Sequence, residues 1–156
     1  MAAMMTSSGT TNVRCAARIK KELEKWDNTG EFALSVGNPT QWFVDFHGAA
    51  GTIYAGEYFR LQITFIGDYP MEAPEVMFVL PHCPIHPHIY SNGHICLNIL
   101  GEDWSPALTV RSICVSILSM LSSCPCKERP TDNDRYVTTK KGTPKTTQFQ
   151  YHDDGV

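Results

Sequence analysis

Between Glu57 and Ile66 the chain alternates with a period of two: Phe59, Leu61, Ile63 and Phe65 on one side, Arg60, Gln62 and Thr64 on the other. A strand with one apolar and one polar face belongs in a sheet that is covered on one side and wetted on the other, which is the habit of antiparallel sheets. The flanks agree. Phe32, Leu34 and Val36 alternate before the turn Gly37-Asn38-Pro39-Thr40, and Trp42, Val44 and Phe46 alternate after it. A fourth short strand, Glu75 to Leu80, follows the turn Gly67-Asp68-Tyr69-Pro70. Four strands joined by short turns predict an antiparallel meander whose apolar face a helix must close, an α+β fold.

Two helices are available for that task. Ala16, Ile19, Leu23 and Trp26 fall at helical spacing from Asn12 onward, with Arg18, Lys20, Lys21, Glu22 and Lys25 on the other faces, Thr11 or Asn12 as cap and Asp27-Asn28-Thr29-Gly30 as stop. By itself this short charged helix reads as a solvated face. Val110, Ile113, Cys114, Ile117, Leu118 and Leu121 form a stronger stripe, with Thr109 as N-cap, and place Cys114 in packing. Residues 1–11 read as a flexible tail, 12–137 as the folded core and 138–156 as a loosely held, atypical C-terminus.

The composition is that of one globular domain: 156 residues, 42% hydrophobic and 19% charged. A net charge of -3 offers no electrostatic attraction to nucleic acid or anionic lipid. No apolar run approaches the ~20 residues of a membrane span, and the start lacks the pattern of a signal peptide, so a cytosolic or nuclear setting with six reduced thiols is expected.

The chemistry concentrates between Ile85 and Leu100. Pro84 and Pro87 stiffen this loop, Ser91-Asn92-Gly93 supplies a turn, and Cys96 follows directly, fixed yet approachable as a nucleophile requires. His82, Cys83, His86, His88, His94 and Cys96 lie within fifteen residues, but they lack the paired spacing of structural zinc sites, so no metal is expected. Cys124-x-Cys126 is too tight for a thioredoxin-like motif. A cysteine hydrolase would need a triad that nothing in the chain supplies, and an unremarkable packed cysteine is the default for Ile95-Cys96-Leu97.

That default yields to the whole pattern. His86-Pro87 stands ten residues before Cys96, Ser91-Asn92-Gly93 and Ile95-Cys96-Leu97 fill the interval, and Asp103-Trp104-Ser105-Pro106-Ala107-Leu108 precedes the second helix. With Tyr69-Pro70, Pro74 and the Gly51 to Gly56 hairpin upstream, the stretch from Ala16 to Ser123 closely resembles the ubiquitin-conjugating enzymes. The resemblance implies that Cys96 accepts ubiquitin as a thioester from the activating enzyme, with no cofactor. It also implies that Phe65 and Trp104, Ser105, Pro106 and Ala107 meet RING or U-box ligases, and that Arg18, Lys20 and Lys21 meet the activating enzyme.

Two departures from the family pattern bear on the substrate. The Asn usual after His-Pro, thought to support the loop or an oxyanion, is here His88, and the usual acidic residue after the second helix is matched by Ser122 or Ser123. The resemblance thus makes Cys96, His86, His88 and Ser123 the catalytic set, with His86 a structural brace. Attack requires a neutral amine. From reference pKa values of ~7.7 and ~10.4, about 30% of an α-amine but about 0.1% of lysine is neutral near pH 7.4. A site without an acidic helper can still serve substrate proteins with free N-termini, with His88 as donor or weak base. These features and the closing Tyr151-His152-Asp153-Asp154 look like the W-type, N-terminus-directed members. The rival readings are a lysine-directed enzyme, a carrier of a ubiquitin-like modifier, and a catalytically silent binding scaffold.

Overall fold

The computed structural model describes residues 13–140 and 142–144, so the expected 1–11 tail, the cap at Thr11 or Asn12 and the Tyr151 to Asp154 ending lie outside the described residues. The order is α1 (Val13–Glu24), β1 (Ala33–Asn38), β2 (Gln41–His47), β3 (Tyr58–Thr64), β4 (Glu75–Phe78), a 3-10 turn (Asn98–Leu100), α2 (Val110–Ser122) and α3 (Asn133–Thr139). The four strands form one antiparallel sheet in sequence order, with Trp42 opposite Ile63, Val44 opposite Leu61 and Leu61 opposite Phe78. No helix among the described residues is long and apolar enough to cross a membrane.

Alternation sets the burial. Trp42, Val44 and Phe46 of β2 and Phe59, Leu61 and Ile63 of β3 all face inward and are buried. Each large apolar side chain withdrawn in this way contributes about 2 kcal/mol. β1 is the edge, and its Val36 is half exposed. The inner face packs on α2 through Val110, Ile113, Cys114, Ile117 and Leu121. Thr109 caps α2 as expected: its hydroxyl accepts from the Ser112 N–H at 3.1 Å, and Ser112 Oγ accepts from the Thr109 N–H at 3.2 Å.

α1 is rotated relative to its expected stripe. Cys15, Ile19 and Glu22 are buried, whereas Ala16 is exposed and Leu23 largely so. The reason is Glu22, whose carboxylate finds its partners inside. Oε2 accepts from Arg18 Nε at 3.0 Å and from the Tyr69 hydroxyl, and Oε1 accepts from the Val110 N–H at 2.8 Å. That amide is one of the orphan donors at the start of α2, so a side chain of α1 caps another helix. Burial and the Glu22 contact together push the Tyr69 phenol pKa up.

α3 and the described residues after it pack on the central loop. Tyr136 of α3 is buried and stacks on Tyr90 with ring centroids 3.7 Å apart, and Lys140 and Gly142 accept hydrogen bonds from the central loop. Of residues 138–156, those described are 138–140 and 142–144, so the expected loosely held C-terminus lies largely outside the described residues.

Candidate active site

The loop carrying Cys96 is irregular, so its backbone groups must be satisfied one by one. The Tyr54 hydroxyl donates to Ile85 O, and Arg129 Nη1 donates to Pro84 O at 3.1 Å and to Ile89 O at 3.4 Å. The Asn92 side chain accepts from the His94 N–H at 3.1 Å, and Gly93 takes φ +92 while its carbonyl accepts from the Phe78 N–H at 2.9 Å. A Cβ at Gly93 would stand 2.3 Å from Phe78 O, so glycine is needed there for both conformation and space.

Two of the loop's imidazoles act as braces, as expected for His86. His86 is buried; its Nδ1 accepts from the His88 N–H at 2.9 Å, which leaves the proton on Nε2, directed to the Met120 carbonyl of α2. His94 Nε2 meets Gly142 O at 2.8 Å and must donate, so Nδ1 accepts from the Tyr136 hydroxyl, also at 2.8 Å. Both rings are thereby written as neutral, and burial lowers both pKa values. Among the described residues no group of three or more His, Cys, Asp or Glu could hold a metal.

Cys96 is fixed by its N–H, which donates to His88 O at 2.8 Å, and its thiol is half-buried in an open cleft of ≈ 280 Å³. His88, Leu97, Asn98, Ile99 and Met120 line the rest. The six cysteines carry no disulfide, and burial separates their chemistry: it pushes the Cys114 thiol up to about 12 and also raises Cys15 and Cys83. Those three are packing groups, not nucleophiles.

His88 is exposed at the rim, with its ring centroid 5.6 Å from that of His86. Ser123 is exposed at the end of α2, where its hydroxyl turns back to Met120 O at 3.3 Å, and it is not among the residues lining the cleft. Ser105, Pro106 and Ala107 are exposed on the adjoining loop, and Trp104 anchors that loop by donating from Nε1 to Pro70 O at 2.8 Å.

Two expected contact residues are placed differently. Phe65 is buried, with its ring 4.8 Å from both Trp42 and Tyr69, because it continues the inward alternation of β3. Arg18 is not a free surface charge: besides Glu22, it donates to Pro106 O at 2.9 Å and to Leu108 O at 2.8 Å. Lys20 and Lys21 remain exposed on the outer face of α1.

Tyr54, Arg129, Asn133 and Tyr136 also hold the loop and were not singled out from sequence. They lie 31 to 45 positions from their partners, and no local pattern marks contacts at that separation.

The family model described as ubiquitin-conjugating enzyme matches residues 18–151. Ubiquitin-conjugating enzyme 15 of Arabidopsis thaliana is 51% identical, over 97% of this chain and 100% of that protein. The probable ubiquitin-conjugating enzyme E2 W-A of Danio rerio is 53% identical, over 88% of this chain and 95% of its own length. The crystal structure of ubiquitin conjugating enzyme E2 UbcA1 from Agrocybe aegerita superposes with a TM-score of 0.78 at 43% identity, covering 83% of this chain and 96% of that one. The helix-sheet-helix frame, the thiol at the end of its braced loop and these likenesses together place the chain in the ubiquitin-conjugating enzyme family, among transferases similar to its W-type members.

Proposed function

We propose that Cys96 carries ubiquitin as a thioester and delivers it to the N-terminal α-amino group of substrate proteins. The Cys96 thiolate attacks the carbonyl carbon of the activating enzyme's thioester, the new C–S bond forms, the old one breaks and the activating enzyme's cysteine leaves as thiolate. A neutral amine then attacks the same carbonyl carbon, the C–S bond breaks and Cys96 departs as thiolate while the amine loses its proton.

The observation that carries the preference for α-amines is the lining of the cleft. His88, Leu97, Asn98, Ile99 and Met120 surround Cys96, and none of them is a carboxylate that could orient or deprotonate a lysine. An amine that is already about 30% neutral needs no such helper, whereas lysine at about 0.1% does. Exposed His88 stands where it can donate to the developing oxyanion or take a proton.

Partners dock on either side of α1. Lys20 and Lys21 present positive charge to the activating enzyme. Ser105 to Ala107 and the neighbouring cleft of ≈ 510 Å³, lined by the charged Arg14, Arg18 and Asp68 beside Val13, Tyr69, Pro70 and Met71, offer a ligase a seat of mixed charged and apolar character. Phe65 enters that surface only as support from beneath.

The test is a single-turnover discharge assay. Charged protein is offered free lysine, or a peptide with a free, unstructured N-terminus and blocked lysines. Faster discharge to the peptide supports the reading, and faster discharge to lysine sinks it. Cys96→Ser should give a reductant-resistant oxyester, and charging of Cys96→Ala would place the carrier elsewhere.

A further inference from the structure

Just past α2 the chain carries a second thiol pair, Cys124 and Cys126, with Pro125 between them. Neither lines the cleft at Cys96. Cys124 is half-buried and Cys126 exposed, and the Cys124 thiol donates to the Cys126 carbonyl at 3.0 Å. The bend thus folds the first sulfur back onto the second cysteine's own backbone. Pro125 restricts φ between them, so part of the conformational freedom lost on closing a ring is already removed. Cys15 and Cys114 are buried, in contrast, and Cys96 sits in its own cleft.

We propose that Cys124 and Cys126 form an oxidisable dithiol, a redox modification site that closes to a Cys124–Cys126 disulfide by exchange with a low-molecular-weight disulfide. One protein thiolate attacks a sulfur of the small disulfide, forming a mixed disulfide and releasing one small thiol. The second protein thiolate then attacks the protein sulfur of that mixed disulfide and releases the other. The protein gives up two electrons and two protons, and the small disulfide becomes two thiols. A bridge between residues this close in sequence, exposed at the surface, belongs to the labile class that reducing thiols reopen.

The position connects the pair to the catalytic loop. Burial and the neighbouring Cys124 thiol raise the pKa of the Tyr54 hydroxyl, which donates to Ile85 O, one residue before His86. Lys127, next along the chain, holds Glu57 at 2.6 Å and lies 5.4 Å from the centroid of the Tyr54 ring. Tyr54 therefore stands between the dithiol and the loop that carries Cys96.

The experiment equilibrates the full chain in glutathione buffers of graded redox poise, alkylates the remaining thiols and maps the tryptic peptide Ser112–Lys127, which holds Cys114, Cys124 and Cys126. The expected product lacks two hydrogens, carries no glutathione, and has its bond between Cys124 and Cys126, so tandem fragmentation between Val115 and Ser123 proceeds normally. Dithiothreitol restores it. Cys124→Ser and Cys126→Ser should each instead retain a glutathione adduct on the remaining thiol. The proposal is overturned if the wild-type peptide accumulates adducts at Cys124 or Cys126 as readily as the single variants. A bond to Cys114, or no hydrogen loss at any poise, would overturn it equally.

Discussion

The N–H of Cys96 donates to the carbonyl oxygen of His88 at 2.8 Å, so the proposed carrier residue is tied to the backbone of the residue whose imidazole stands at the rim of its cleft. A change of side chain at position 88 leaves that bond in place. His88→Asn is therefore expected to charge with ubiquitin at an unchanged rate. Its discharge to free lysine, relative to an N-terminal peptide, should rise about tenfold, or about 1.4 kcal/mol in the barrier. Single-turnover discharge measures both amines, and a loss of charging would show that the imidazole supports the thiol directly.

Glu22 satisfies groups on three elements from a buried position: Arg18, Tyr69 and the Val110 N–H. Removing it leaves the buried Tyr69 hydroxyl and a buried helix amide without their acceptor, and the part-buried Arg18 guanidinium with carbonyl partners only. Glu22→Ala should cost about 3 to 5 kcal/mol in urea unfolding, by analogy with the loss of one partner from a buried charged pair. Glu22→Gln, which keeps an acceptor, should cost less.

The two buried imidazoles make stability depend on pH in a defined direction. His86 and His94 are held neutral by burial, with pKa values below the ordinary 6.5, while the unfolded chain protonates them near that value. Below about pH 6.5 the unfolded state binds more protons, so stability rises with pH through this window and falls as the solution is acidified toward the folded pKa values. Urea midpoints should thus be lower at pH 5.5 than at pH 7.5. His94→Gln should weaken the fold at the higher pH and flatten the slope, leaving the share due to His86.

Gly93 has the sharpest steric demand in the loop. With φ at +92 and Phe78 O 2.3 Å from the position of an added Cβ, Gly93→Ala must displace either its own turn or β4. A loss of about 2 kcal/mol or more in unfolding free energy is expected, with slower charging of Cys96 because the turn leads directly into it.

Periodicity carried what it could. The period-two runs of β2 and β3 and the stripe of α2 fix which faces are buried, and those faces are buried as expected. The errors lie where a distant partner decides. Glu22 looked solvent-facing because Tyr69 and Val110, 47 and 88 residues away, supply its bonds, and that choice turned α1 on its axis. For Phe65 the local alternation placed the ring inside while the family resemblance placed it on the surface, and the alternation prevailed. The thiol loop was recognisable from its prolines, its turn and its cysteine. Its braces, Tyr54, Arg129 and Tyr136, come from segments whose own patterns concern other elements.

Arg18 spans α1 and the loop before α2, with its guanidinium on Pro106 O and Leu108 O. Freezing a loose residue on association costs about 1 to 2 kcal/mol of backbone entropy. Because the exposed segment Ser105 to Ala107 is tethered from behind, that ordering occurs when the chain folds and not when a partner arrives. The ligase docking proposed at this corner would then be a meeting of finished surfaces, its strength set by shape and by the groups displayed, and an Arg18→Ala protein would present the same groups on a softer platform.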